Sequence, residues 1–178
     1  NCTLVTDCAC VFCHTVYPNT LIPNPEDNGD SLLIHASAST HQHGEVPAAP
    51  ETWSSILTYR LRRDGFVFAS AGANNEATFT TTAIVWGKSS LLINANCSGG
   101  GSVRVGVLDS KSHKSIEGFD ISQSVAMTTD SVAESAKWSS GRSIQELSGH
   151  QLQLQVELGG AARLYSFRGD MELTYTME

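Results

Sequence analysis

In the stretch HQLQLQVEL, Leu152, Leu154, Val156 and Leu158 alternate without a break with Gln151, Gln153, Gln155 and Glu157. Only a β-strand puts every second side chain on one face, so this pattern requires a strand with one dry and one wet side. SVRVGVLD repeats it, with Val103, Val105 and Val107 against Arg104 and Gly106. ILTYRLRR sets Leu57, Tyr59 and Leu61 against Thr58, Arg60 and Arg62. Half-buried strands of this kind belong to antiparallel sheets.

Further strand candidates are SLLIHAS, GFVFAS, ATFTTTAIV, SLLINANC, ARLYSFRG and MELTYTM, separated by turn-forming runs such as ANNE, SGGG, DSKSH and LGGAA. No helical period is sustained. SIQELSG alone suits one helical turn, with Ser143 as cap, Glu146 three residues on, and Gly149 as the stop. Many short strands with almost no helix predict an all-β chain folded as an antiparallel β-sandwich or jelly roll.

The organisation expected is an extended, cysteine-rich arm with a proline-rich linker over residues 1–30, followed by a sandwich domain over 31–178. The linker assignment rests on PNTLIPNPEDNGD, which holds three of the five prolines. ASTHQHGEVPAAPETW reads as a second polar connection. With 178 residues and 40% apolar content, the chain can bury a core of its own. A net charge of -7 argues against nucleic acid as a partner, since binding there requires a basic face. The longest apolar run is the six residues of CACVFC, far below the roughly 20 needed to span a bilayer. Membrane insertion is therefore not expected.

Four of the five cysteines, Cys2, Cys8, Cys10 and Cys13, fall in the first thirteen residues, and the fifth is Cys97. Two interpretations compete. A zinc knuckle needs two separated ligand pairs, and here Cys8-x-Cys10 is too tight and no second pair follows. Disulfides in an oxidising, extracellular setting are favoured, and the odd count leaves at least one thiol for another chain or none. Two acceptor triplets for N-linked glycosylation, at Asn1 and Asn96, point to the same setting. The chain starts at Asn1 without an initiator methionine, so a processed, secreted chain held at both ends is expected.

Among chemistries, His41 and His43 lie two residues apart and would share a side in an extended segment, but a metal needs a third ligand such as His35, and nothing fixes it nearby. No metal or other cofactor is expected. A glycosidase needs two carboxylates set across a cleft, and no acid here sits in a motif that singles it out. There is no Gly-x-Ser-x-Gly elbow either, so catalysis is not expected. Sugar recognition needs aromatic rings for stacking and amides or acids for the hydroxyls, which makes Trp53, Trp86 and Trp138 the stacking candidates and Gln151, Gln153 and Gln155 a candidate polar face.

LTYRLRRDGFVFAS, SLLINANCSGGGSVRVGVLDSKSHKSIEGFD and KWSSGRSIQELSGHQLQLQVELGGAARLYSFRG together resemble the C-terminal β-sandwich of uncharacterised proteins similar to glycosidases, in which a five-bladed propeller precedes the sandwich. The likeness covers about residues 31–169, and its most specific parts are the RRDGF turn, the VRVGVLD…IEGF hairpin and the closing ARLYSFRG. LLIHASASTHQHG looks like the join at which that propeller would end. The resemblance implies a jelly-roll-like fold and an association with carbohydrates. In such proteins the catalytic carboxylates belong to the propeller, so no catalytic residue carries over. The cysteine-rich arm lies outside the likeness.

Two functions are expected from these features. The first is a non-catalytic, extracellular structural subunit that assembles with copies of itself into a fibril, sheath or wall layer through the N-terminal arm. The second is a carbohydrate-binding accessory β-sandwich, with glycans as its partners.

Overall fold

A computed structural model describes residues 15–39, 54–72 and 75–174. The chain divides into two compact units, Asn1–Phe66 and Val67–Glu178.

The first unit is a three-stranded antiparallel sheet of β1 (Thr15–Pro23), β2 (Ser31–Ser39) and β3 (Ser54–Arg62), in that order. β2 and β3 pair without a break from Ser31 opposite Arg62 to Ser39 opposite Ser54. On one face Ile34 stands between Leu21 and Tyr59, with Leu32 opposite Leu61 and Ala36 opposite Leu57. Facing apolar pairs of this kind hold a register, because a slip of one residue would turn them to the other face.

Residues 18–23, expected in a linker, are part of β1. Proline is tolerated there because β1 lies at the edge of the described sheet, where a missing N–H breaks no ladder, and the register shifts between Pro18 and Thr20. The rest of the proline-rich stretch closes a tight turn. Asn24 is buried, accepts the Glu26 N–H at 3.1 Å, and donates to Asp27 Oδ2 at 3.0 Å and Ser31 Oγ at 3.1 Å. A 3-10 turn over Pro25–Asp27 follows, and Asn28 and Gly29 reverse the chain with φ of 56° and 80°. Asn and Gly enter that left-handed region with least strain.

The second unit contains β4 (Ala69–Ser70), β5 (Glu76–Thr80), β6 (Ile84–Trp86), β7 (Leu92–Asn96), β8 (Ser102–Asp109), β9 (Asp130–Ser135), β10 (Gln151–Gly159), β11 (Arg163–Arg168) and β12 (Met171–Leu173). One sheet runs β12-β6-β10-β5, with β8 also paired to β10; the other runs β4-β11-β7-β9. Every strand pair described in both is antiparallel. This is the all-β sandwich that the alternation predicts.

Its core is the dry side of the two patterned strands. Val103 faces Leu158, Val105 faces Val156 and Val107 faces Leu154 across the β8–β10 ladder, and all six are buried. They pack in one cluster with Ile93, Ala95 and Leu164 of the opposite sheet. Burying each such side chain contributes roughly 1.5–3 kcal/mol, which makes this ladder the main source of cohesion. The SIQELSG segment forms a 3-10 helix over Ile144–Leu147 with the expected capping box: Ser143 Oγ accepts the Gln145 N–H, and Glu146 accepts the Ser143 N–H at 2.9 Å. Ile144 and Leu147 enter the core beneath it. Gly149 ends it at φ 80°.

Candidate functional site

The sheet β4-β11-β7-β9 has an inner face in the core and an outer face on which several chemically capable groups meet. Leu164 points inward, so its neighbour Arg163 is directed outward, and a bulge between Leu164 and Ser166 takes Tyr165 out of the β11–β7 ladder. Phe68 immediately precedes β4, which pairs with β11 through Leu164 opposite Ala69 and Arg163 opposite Ser70. The pairing brings Phe68 edge-on to Tyr165, with ring centroids 5.9 Å apart and planes at 64°. The Arg163 guanidinium carbon lies 5.1 Å from the centre of the Phe68 ring. Phe68 nevertheless remains 48% exposed. A cation–π contact at such an exposed site is worth roughly 0.5–1 kcal/mol, enough to orient the ring.

The other side of Arg163 continues the row. Arg163 lies opposite Asn96 of β7, and Asn96 lies opposite Asp130 of β9. With strands about 4.8 Å apart, Ser70, Arg163, Asn96 and Asp130 form a line about 14 Å long. Asn96 is fixed within it: Nδ2 donates to Asp130 Oδ2 at 2.9 Å, and Oδ1 accepts from the Ser98 N–H at 3.1 Å and the Ser98 hydroxyl at 2.8 Å. Beyond this line, Arg168 reaches from β11 across β7 to donate to the Val132 carbonyl of β9. The face thus combines an aromatic pair, a guanidinium, an amide and a carboxylate. Rings can stack on the C–H side of a flat polar ligand, while the other groups bond its hydroxyls.

The tryptophans are placed differently from expectation. Trp86 and Trp138 are 0% and 4% exposed, and their indole N–H groups donate to Ser89 O at 3.2 Å and Val105 O at 2.9 Å. Both rings are core components because a large apolar ring is stabilised most by full burial once its one donor has a partner. Neither is available as an open stacking platform. Trp53 lies outside the described residues, as do Asn1, Cys2, Cys8, Cys10, Cys13, His41 and His43. Cys97 sits in the core at 1% exposure. His35 meets Thr58 Oγ1 at 3.0 Å across the β2–β3 ladder.

The glutamine face of β10 is partly occupied. Gln153 donates to Thr81 O at 2.9 Å, and its Oε1 lies 2.8 Å from His113 Nδ1. The 3-10 turn Ile121–Gln123 lies directly over Gly106, where an added Cβ would fall 2.8 Å from the Ile121 nitrogen. Phe68, Arg163 and Tyr165 were not singled out by sequence reading. The outward alternation of ARLYSFRG around an inward Leu164 was the available signal.

Compared with family models, with curated proteins and with solved structures, the chain matches none. Fold and surface together define an antiparallel β-sandwich with an aromatic and polar outer face.

Proposed function

We propose that this chain is a non-catalytic carbohydrate-binding accessory domain, related to glycoside-hydrolase-like proteins and working outside the cell, with glycans as partners and no cofactor. The observation that carries this reading is the outer-face constellation of Phe68, Tyr165 and Arg163 in line with the Asn96–Asp130 pair. Sugars present both an apolar C–H patch and a ring of hydroxyls, and this face offers a partner for each. The resemblance of residues 31–169 to the sandwich of glycosidase-like propeller proteins supports the same class of ligand. The test is retention of the full chain on a panel of insoluble and soluble polysaccharides, with Phe68→Ala and Tyr165→Ala as the variants. Loss of retention in both variants supports the reading, and unchanged retention removes this face from it.

A second reading has its own observation. Tyr17, Leu21 and Ile22 of β1, at the edge of the described sheet, are all exposed, Leu21 at 52%. An exposed apolar edge is a template for pairing with another chain. On this reading the protein is an extracellular structural subunit whose N-terminal segment joins copies of itself into a fibril, sheath or wall layer. Light scattering on the native particle separates the two, since assemblies far above the 19.0 kDa chain belong to the second reading alone.

A further inference from the structure

Arg163 makes no hydrogen bond and no ion pair among the described residues; what holds it is the stack on Phe68, with 5.1 Å from the guanidinium carbon to the ring centre. The side chain is half-buried, yet none of its nitrogens is a buried atom without a partner, so its donors face water. A guanidinium stacked on a ring uses its flat face, while its five N–H donors lie in its own plane. The stack therefore fixes where the cation sits without consuming a donor. Phe68 is likewise not used up. Arg163 lies over one side and Tyr165 meets the ring edge-on with centroids 5.9 Å apart, but 48% of the residue stays exposed.

A second guanidinium shares this face. Phe167 packs against the core, so Arg168 is directed outward; it donates to the Val132 carbonyl and has no ion pair among the described residues. The carboxylate of the row, Asp130, accepts the Asn96 amide and lies two strands from Arg163, about 10 Å along the sheet. That exceeds the screening length of about 8 Å at physiological salt, so Asp130 does not neutralise Arg163. An open ring thus sits beside a positioned fork with no anion of its own.

We infer that the glycan taken by the outer face is a polyuronate, with one sugar ring on the open part of Phe68 and a carboxylate of the same chain on the free edge of Arg163. In such a polymer every ring carries a carboxylate, bonded directly to a ring carbon, so the chain can serve the ring and the fork together. A planar carboxylate also matches the fork through two parallel charge-assisted bonds. A sulfate ester hangs from a further oxygen and turns freely, which suits a fork held flat on a ring less well. The row from Ser70 to Asp130, about 14 Å long, takes a chain rather than a single sugar. That the ligand is a glycan rests on the carbohydrate reading above; the preference for an acid rests on Arg163.

The test is affinity electrophoresis of the full chain in gels containing polygalacturonate, its fully methyl-esterified form, a neutral glucan or dextran sulfate, with mobility referred to the empty gel. Polygalacturonate is expected to retard the chain most, and the ester several-fold more weakly, since esterification removes the charge and keeps the rings. Arg163→Gln is expected to weaken polygalacturonate about tenfold, as loss of one charge-assisted contact does, and to leave the ester unchanged. Arg163→Lys keeps the charge without the fork and is expected to recover less than half of that loss; full recovery would overturn the match to a planar carboxylate. A variant Arg163→Gln that loses the ester as well would show that Arg163 only holds Phe68 in place, which overturns its role as carboxylate partner. Dextran sulfate held as tightly as polygalacturonate would overturn the uronate assignment. Equal retention by polygalacturonate and its ester, or by the neutral glucan alone, would overturn the acid preference and leave a glycan-binding face standing. No retention in any gel would overturn the carbohydrate reading and this inference with it.

Discussion

Trp138 and Val105 are joined across the interior by a hydrogen bond of 2.9 Å from the indole Nε1–H to the Val105 carbonyl. Val105 is itself bonded through its N–H to the Ser124 hydroxyl at 2.8 Å. This one residue of β8 is thus tied by both backbone groups to segments beyond its own ladder with β10. Trp138→Phe removes the donor and leaves a buried carbonyl short of its partner, together with a small void. The expected loss is about 2–4 kcal/mol in urea unfolding. A loss under about 0.5 kcal/mol would mean that the bond contributes nothing to the sandwich.

Gly106 has no room for a side chain, because the Ile121–Gln123 turn rests on it. The nearest atom an added Cβ would meet, the Ile121 nitrogen, and the adjoining Cα are backbone and cannot swing away. Gly106→Ala is expected to lift that turn and cost about 1–3 kcal/mol. Calorimetry checks this, and an unchanged melting temperature would show that the turn is free to move.

Phe68→Ala should leave the fold nearly intact. The lost contacts with Tyr165 and Arg163 are exposed, and such aromatic and cation–π pairs are each worth about 0.5–1.5 kcal/mol. A stability change above about 2 kcal/mol would mark Phe68 as a packing residue and weaken its assignment to a binding face.

Three carboxylates should govern the acid limit. The Ser31 hydroxyl holds Asp27 below the usual carboxylate range, the Ser112 N–H and hydroxyl do so for Asp109, and the Ser143 N–H and Arg142 do so for Glu146. A lowered folded-state value means that these bonds stabilise the fold above the ordinary 3.8 and 4.5, and that the contribution is lost as pH falls through the lower folded values. Glu146→Gln should therefore be less stable than the parent near neutral pH, with the two stability profiles converging as pH falls through the lowered folded value of Glu146. Parallel profiles would show that the Glu146 charge is not used.

Much of the sandwich was legible because its strands are half-buried. β10 alternates strictly and its burial follows residue by residue, whereas β8 alternates only as far as Val105, after which Gly106 and Leu108 are buried along with Val107. The capped turn at Ser143 was legible for a similar reason, since its bonds run between residues two and three apart. β1 was not, because Pro18 and Pro23 signal a loop in any local window and only the position of the strand at a sheet edge makes them acceptable. Nor could residue type alone separate a buried Trp86 from an exposed Phe68. The outer-face cluster was hidden for a further reason. Phe68 and Tyr165 lie almost a hundred residues apart, and only the short β4–β11 pairing brings them together. Phe68 was visible inside GFVFAS, and Arg163 and Tyr165 inside ARLYSFRG, but their meeting was not.

The most direct measurement is affinity electrophoresis of the full chain through gels containing single polysaccharides, run beside Phe68→Ala and Tyr165→Ala. The parent is expected to be retarded by at least one polysaccharide, and both variants to migrate as in the empty gel while still unfolding cooperatively, with melting temperatures lowered by no more than several degrees. Retardation that survives both substitutions, or no retardation in any gel, would contradict a glycan-binding role for the outer face.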